Sequence, residues 1–489
     1  MLQRTTPESV GIPSSAVNRF IDSLAELDSV HSFMLLRHGK VAAELWNAPY
    51  RPEVPHELFS LSKSFTSVAI GFARQEGKLQ LDDKIAEFFR EKLPADPDPR
   101  FLRMTVRHLL TMSSGHDRCA LCYMINQQEP DFVRSFFRSP LVYEPGSRFV
   151  YNSGATYMLS ALIRRLTGEN LTDYLRPRLF EPLGFGEREW EKDPEGTELG
   201  GWGFHLTTEE IARFSQLLLD GGRWEGKQIL PADYLAQATA FQIDNSMNTQ
   251  PDWKVGYGFQ FWRCRHNAFR GDGAFGQYAL VMPDQDAALA VTSGMRNMQS
   301  VLDRVWDILL PAMQEAPLPE APAEQQALRA RCACAAFPVL PGPGRELVLE
   351  AASFEANAPR RRGAPDRIDV EFLPPHTAPE RAGRAARSRI RPTDRQPYPL
   401  RLLTAPPDGG ERRLARRRHA RSARTSLRDP LPAADSDPAR RKAGDLRTNC
   451  QSALFRPAGV APAPGRGAKP VRGYFPSRLR RIACRARAS

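Results

Sequence analysis

The sequence predicts an α+β fold, an α/β sandwich, whose antiparallel sheet is assembled from both ends of a domain spanning residues 1–315. Three observations predict it. Strand-like apolar runs stand near residues 32–46 and again at 257–293, while segments of helical spacing fill the interval between them. Neighbouring strands in the chain pair locally, so helices flank one sheet and an all-helical lobe is inserted between its two halves. At about Ala316 the texture changes to an Arg-, Pro- and Ala-rich tail, 316–489.

The first element runs from Pro13-Ser14-Ser15 through Phe20, Ile21 and Leu24, apolar positions at helical spacing behind serines that cap. Residues 32–37 and 41–46 flank His38-Gly39-Lys40, a strand, tight turn and strand. Ser62 to Gln75 is apolar at helical spacing, with Gly71 its one break. Thr105–Met112 and Ala155–Leu166 give two further helices, the second stopped at Thr167-Gly168, where glycine takes the left-handed cap. Thr207-Thr208-Glu209-Glu210 opens another with a capping signal and runs to Leu219, before Asp220-Gly221-Gly222. Beyond it the period changes. Tyr257 to Trp262 alternates, and the runs 277–283 and 287–293 are joined by Asp284-Gln285-Asp286 as a hairpin. A closing helix spans Met298 to Met313.

Charge separates the two parts. The net charge of +12 suggests a nucleic-acid partner until it is located. Residues 316–489 hold 35 Lys and Arg against 16 Asp and Glu, and residues 1–315 hold 33 against 40. The domain is therefore acidic; an Arg-rich tail is able to bind RNA or DNA, but the plainer reading is a solvated extension, and no nucleic-acid partner is expected. Only Lys442 and Lys469 stand among 33 arginines in the tail. Such a composition buries too little apolar surface to offset chain entropy. Most of 316–489 is expected to be disordered, with Ile368 to Leu373 a β-like exception. Translation of GC-rich DNA in a shifted frame also over-produces Arg, Pro and Ala, and is the preferred origin of this segment.

The first residues carry no apolar run with a small-residue cleavage site. No stretch approaches a membrane-spanning length. Seven scattered cysteines suggest no disulfide framework. Together these predict a cytoplasmic protein that does not engage a membrane. Cys119 and Cys122 form a C-x-x-C with His116 nearby, but a fourth ligand is missing, so no metal and no cofactor is expected. His205 precedes a helix start, where a capping role is the ordinary one. No G-x-S-x-G elbow is present.

The chemistry-bearing pieces are three. Ser60-Leu61-Ser62-Lys63 opens the helix at 62–75. The pattern S-x-x-K arises by chance about once in a chain this long, so its setting matters more than its occurrence. Positions i and i+3 share a helix face, which sets the Lys63 amine beside the Ser60 hydroxyl. The helix N-terminus favours negative charge on that oxygen. A serine needs its proton removed, and a buried amine of lowered pKa can remove it. Tyr151, in Phe149-Val150-Tyr151-Asn152-Ser153, precedes the helix at 155–166. A phenol beside a lysine cation has its phenolate stabilised, and serves as base toward Ser60 and acid toward a leaving group. Finally, Arg270-Gly271-Asp272-Gly273-Ala274 leads into strand 277–283. Glycines on an edge strand admit a substrate backbone, and an N–H near Ala274 can join that of Ser60 in binding an oxyanion. Taken singly, Tyr151 reads as a buried tyrosine and the glycine run as a plain hairpin.

In order and spacing, Ser60-x-x-Lys63, Tyr151-x-Ser153 and Gly271-Asp272-Gly273 resemble the serine beta-lactamase and penicillin-binding protein superfamily. The resemblance is to its class C-like branch, with esterase, D-aminopeptidase and 6-aminohexanoate-dimer hydrolase relatives. It covers about residues 7–313, including Leu109-Leu-Thr-Met-Ser-Ser-Gly115 and Gly201-Trp-Gly-Phe-His-Leu-Thr207. It implies acyl transfer through Ser60, with Lys63 and Tyr151 handling protons and Ser153, Gly273 and Ala274 meeting the substrate. Two positions depart from the family pattern. Ser153 stands where Asn is usual, and Gly271 where Lys or His is usual. Neighbours on a strand face opposite sides, so Arg270 is badly placed to replace that cation. The expected partner is then a small-molecule ester, or an amide without the beta-lactam's carboxylate. A catalytically idle protein of this fold that binds a peptide or ligand is the alternative. Nothing in the sequence specifies an oligomeric state.

Overall fold

A computed structural model describes residues 2–27, 29–127 and 129–336, together with three short strands at Ser353–Glu355, Arg367–Phe372 and Leu400–Thr404. The main sheet contains β1 (Gln3–Arg4), β2 (Val30–Arg37), β3 (Lys40–Trp46), β4 (Trp262–Arg263), β5 (Phe269–Gly273), β6 (Gln277–Met282) and β7 (Ala287–Ser293). Their order is β1-β3-β2-β7-β6-β5-β4. All neighbours are antiparallel except β1 and β3. The join between β2 and β7, with Leu35 opposite Leu289, stitches the two ends of the domain together. His38 and Gly39 both take positive φ in the first hairpin, the twist that suits right-handed strands.

Every residue of β2, β6 and β7 is buried, so helices cover both faces. The helices of this frame are α1 (Ser14–Ala25), α2 (Ser62–Gln75), α3 (Ser153–Thr167), α4 (Thr208–Leu219), α5 (Gln299–Arg304) and α6 (Pro322–Ala333). Phe20 and Leu24 of α1 and Val301 and Leu302 of α5 share a core with Phe33, Leu35, Leu280 and Leu289. From the other side α4 packs across β2, β6 and β7. Its capping box is complete, with the Thr207 hydroxyl accepting from the Glu210 N–H and the Glu210 carboxylate accepting from Thr207. A cap of this kind is worth about 1 kcal/mol. The inserted lobe is built around α3, which packs on α2 and on short helices at Val106–Leu110, Ala120–Asn126 and Phe132–Phe137. Gly168 closes α3 in the left-handed conformation.

Three elements differ from the sequence expectation. The alternating run 257–262 yields only the short strand β4, because Gln260 takes a positive φ and turns the chain. The side chain of Gln260 is buried, accepting from Thr156 and donating to the Leu109 and Leu110 carbonyls. The closing helix changes winding twice, to a π turn at Val305–Leu309 and a tighter turn at Leu310–Ala312. Pro311 has no N–H to continue an α ladder. The packed body also continues past residue 315. α6 lies against α1, and Gln325 donates to the buried carboxylate of Glu8, which caps the start of α1 through Ser14. Arg367–Phe372 pairs antiparallel with both of the other late strands in a sheet of its own. The disorder expected across most of 316–489 otherwise falls outside the described residues. Among the described residues no helix is long and apolar enough to cross a membrane.

Candidate active site

The chain reaches Ser60 from a two-residue strand, His56–Glu57, paired with His205–Leu206. It turns at Phe59, whose φ of 48° is unusual for an aromatic residue. The Phe59 ring is held edge-on to Phe275, with centroids 5.2 Å apart. A single 3-10 turn, Phe59–Leu61, then leads into α2. Ser60 therefore lies at the helix entrance, 9% exposed, and Lys63 one turn further on, 1% exposed.

Lys63 Nζ meets three oxygens. Ser60 Oγ and Ser153 Oγ each lie 3.0 Å away, and the Gly201 carbonyl oxygen lies at 2.6 Å. Burial lowers the Lys63 pKa from the usual lysine range to about 7, while Cys119 and Asp272 pull it upward. The amine is thus available in its neutral form near neutrality.

Tyr151 joins this group. Its ring centroid is 5.0 Å from Lys63 Nζ, and the Ser60 side chain is near enough to favour its ionised form. Its acidity corrects the sequence reading. Burial pushes the phenol well above its ordinary value, Asp272 adds to the rise, and Ser60 only opposes it. The neighbouring lysine does not stabilise a phenolate, since Lys63 itself is driven toward the neutral state. Burial thus favours the neutral form of both the amine and the phenol.

Ser153 is the first residue of α3, with its N–H donating to Cys119 Sγ at 3.2 Å. Asn152 does not supply the amide that Ser153 lacks. Its side-chain oxygen caps α3 by accepting from Gly154 and Ala155, and it also accepts from Ala120. Its amide nitrogen donates to Ser114.

Gly271 and Gly273 face the entrance of α2. A Cβ on Gly271 would meet Leu61 and Ser64 at 2.5 Å, and one on Gly273 would meet the Leu58 carbonyl at 2.0 Å. Ala274 follows directly, its carbonyl accepting from Gln277 Nε2 at 3.0 Å. The structure thus brings Ser60, Lys63 and Ser153 into hydrogen-bonding reach, with Tyr151 against Lys63, and sets the end of β5 beside them. No hydrogen bond of the described residues joins Ala274 to Ser60.

Arg270 faces away from α2, as strand alternation requires. It is fully buried and bonds Asp272 Oδ2 at 2.8 and 3.0 Å, the Asp252 carbonyl at 2.7 Å and Cys264 Sγ at 2.8 Å. Its charge is committed to those partners. His116 is likewise spent between the Ser114 and Ser139 hydroxyls. Across the short strand pair His205 lies opposite Glu57. Among the described residues no three His, Cys, Asp or Glu side chains form a metal site.

Sequence reasoning gave no role at this site to Gly201 or Asp272, although both stand in motifs it singled out. Gly201 contributes only a backbone oxygen. The resemblance had marked 201–207 as a block, which was the available signal.

Residues 19–310 match the family model described as Beta-lactamase. The 6-aminohexanoate-dimer hydrolase of Paenarthrobacter ureafaciens is 23% identical over 282 residues, covering 54% of this chain and 72% of the relative. A protein of Escherichia coli K12 described as a putative D-alanyl-D-alanine carboxypeptidase is 27% identical over 213 residues, 38% of this chain and 49% of its own. Among solved structures, a putative 6-aminohexanoate-dimer hydrolase from Bacillus anthracis superposes with a TM-score of 0.50 at 22% identity. It covers 63% of this chain and 86% of that one.

Proposed function

The chain belongs to the beta-lactamase family, and on that premise we propose that it is a serine hydrolase acting through an acyl-enzyme on Ser60. The observation that carries this reading is the 3.0 Å contact between Ser60 and a lysine whose pKa is lowered to about 7. Lys63 takes the Ser60 proton as the oxygen attacks a carbonyl. Tyr151 protonates the leaving group as its bond to the acyl carbon breaks, and recovers a proton from Lys63. Water then repeats the sequence in reverse roles and releases the acid. Backbone N–H groups at Ser60 and near Ala274 hold the negative oxygen.

The substrate is an ester or amide of a small molecule or short peptide. Gly271 offers no cation to grip a substrate carboxylate and the neighbouring Arg270 is paired internally with Asp272, which favours substrates without one. Hydrolase relatives, one acting on an aminohexanoate dimer by its name, support the class of reaction.

Hydrolysis of a p-nitrophenyl ester by the parent and by Ser60→Ala tests this. A fluorophosphonate is expected to leave one adduct, on Ser60. Equal rates in the two proteins would overturn the proposal. The altered second and third motifs favour a second reading, a non-hydrolysing binder of a peptide or ligand. Retained ligand binding with no Ser60-dependent turnover would support it.

A further inference from the structure

The ring of Tyr151 has one aromatic wall. It stacks on Trp262, with centroids 5.3 Å apart and planes 27° from parallel. Tyr257 meets it edge-on from 6.4 Å. Trp262 belongs to a strand of only two residues at the edge of the sheet, a weak hold on an indole by itself. Its ring lies 5.8 Å from the Arg270 guanidinium, and its N–H, which can only donate, favours the charged form of the Asp272 carboxylate. Asp272 is 6% exposed and is fixed in turn by Arg270. Arg270 is anchored on the Asp252 carbonyl and lies over the Trp253 ring at 4.1 Å. Trp262 and Arg270 are opposite each other across β4 and β5, and Asp272 follows Arg270 on the same face. A continuous chain of contacts thus runs from Arg270 through Asp272 and Trp262 to Tyr151.

A buried ion pair is a poor source of stability, because removing both charges from water is costly. Its location behind one half-buried tyrosine calls for another role. Resting on the hydrolase reading above, we propose that Asp272 is a positioning residue for Tyr151. By holding the Trp262 indole it fixes the phenol beside Ser60, and so governs proton delivery to the leaving group. The Asp272 charge also keeps the phenol protonated, since it acts in the same direction as burial.

The distinguishing readout is leaving-group dependence. Expulsion of p-nitrophenolate needs no protonation, whereas an alkoxide needs a proton as its bond breaks. kcat/KM reports steps up to acylation, so two esters of one acid compare that proton transfer directly. Asp272→Asn keeps the shape and removes the charge. Trp262→Phe keeps a stacked ring and removes the N–H. The wild-type protein and both variants are assayed on a p-nitrophenyl ester and on the ethyl ester of the same acid, with thermal melting as a check on folding. The expected result is a loss of about tenfold or more on the ethyl ester beyond any loss on the p-nitrophenyl ester, in both variants. Equal losses on the two esters, or none, would overturn the assignment. If Trp262→Phe alone folds, its ratio decides. Failure of the hydrolase reading is separately visible, because hydrolysis by the wild-type protein would then match that of Ser60→Ala.

Discussion

Lys63 Nζ lies 2.6 Å from the carbonyl oxygen of Gly201, a partner that only accepts. One N–H of the lysine is committed there in either protonation state, and Ser153 Oγ takes a second. A neutral amine then has its lone pair left for the remaining neighbour, Ser60 Oγ. In the proposed mechanism the backbone at Gly201 thereby aims the Lys63 lone pair at the Ser60 proton.

Activity is expected to rise with pH through a midpoint near 7, the value to which burial lowers Lys63. Below it the amine is protonated and accepts nothing; above it the lone pair is free. Lys63→Met should lower kcat/KM by about a thousandfold. A pH profile of ester hydrolysis that is flat across neutrality contradicts this.

The same shift makes stability depend on pH. The unfolded lysine keeps its proton up to 10.5, whereas the native one gives it up at about 7. Between those values the unfolded state binds more protons, so stability rises with pH. Denaturant midpoints measured across this window should lose that part of their slope in Lys63→Met.

Ser153→Ala removes one of the acceptors around Lys63. One hydrogen bond of this type is worth about 1 kcal/mol, so kcat/KM should fall by roughly five- to tenfold. Kinetics on a single ester, with melting temperature as control, are sufficient. Loss of folding in place of activity would assign Ser153 to structure alone.

Gly273→Ala should be far more damaging than Gly168→Ala. A Cβ at 273 would stand 2.0 Å from the Leu58 backbone oxygen, two residues before Ser60. One at 168 would meet nothing within 4 Å and bears only the strain of its positive φ, about 1 kcal/mol. Urea midpoints and ester hydrolysis of the pair compare the two, and equal activities would contradict the placement of β5.

Ending the chain after residue 315 should lower the melting temperature more than ending it after 336. The shorter protein loses α6 and leaves Glu8 without Gln325. Equal melting temperatures would show that α6 adds nothing to the body.

The parts legible in the sequence were those fixed by near neighbours. The i, i+3 spacing put Ser60 and Lys63 on one helix face, and Thr207 with Glu210 announced a helix start. Distant approaches were invisible. Gly201 reaches Lys63 through a backbone atom, which no residue type reveals. Trp262 and Asp272 matter to Tyr151 only because β4 and β5 pair. The aromatic surroundings of Tyr151 were likewise hidden, because Trp262 and Tyr257 stand over a hundred positions away. α6 escaped notice because it carries few apolar residues and docks through Gln325 and Leu328.

Translation proceeds from one end, and the seam between β2 and β7 sets what a partly made chain can do. A ribosome past Gly201 has supplied Ser60, Lys63, Tyr151, Ser153 and Gly201, yet β2 still lacks the partner that runs from Ala287 to Ser293. Until that strand emerges, the first hairpin presents an open edge with the apolar run Phe33–Leu36 at its centre, a template for mispairing with other nascent chains. Synthesis of Ala287–Ser293 therefore completes the main sheet and ends this exposure in the same step.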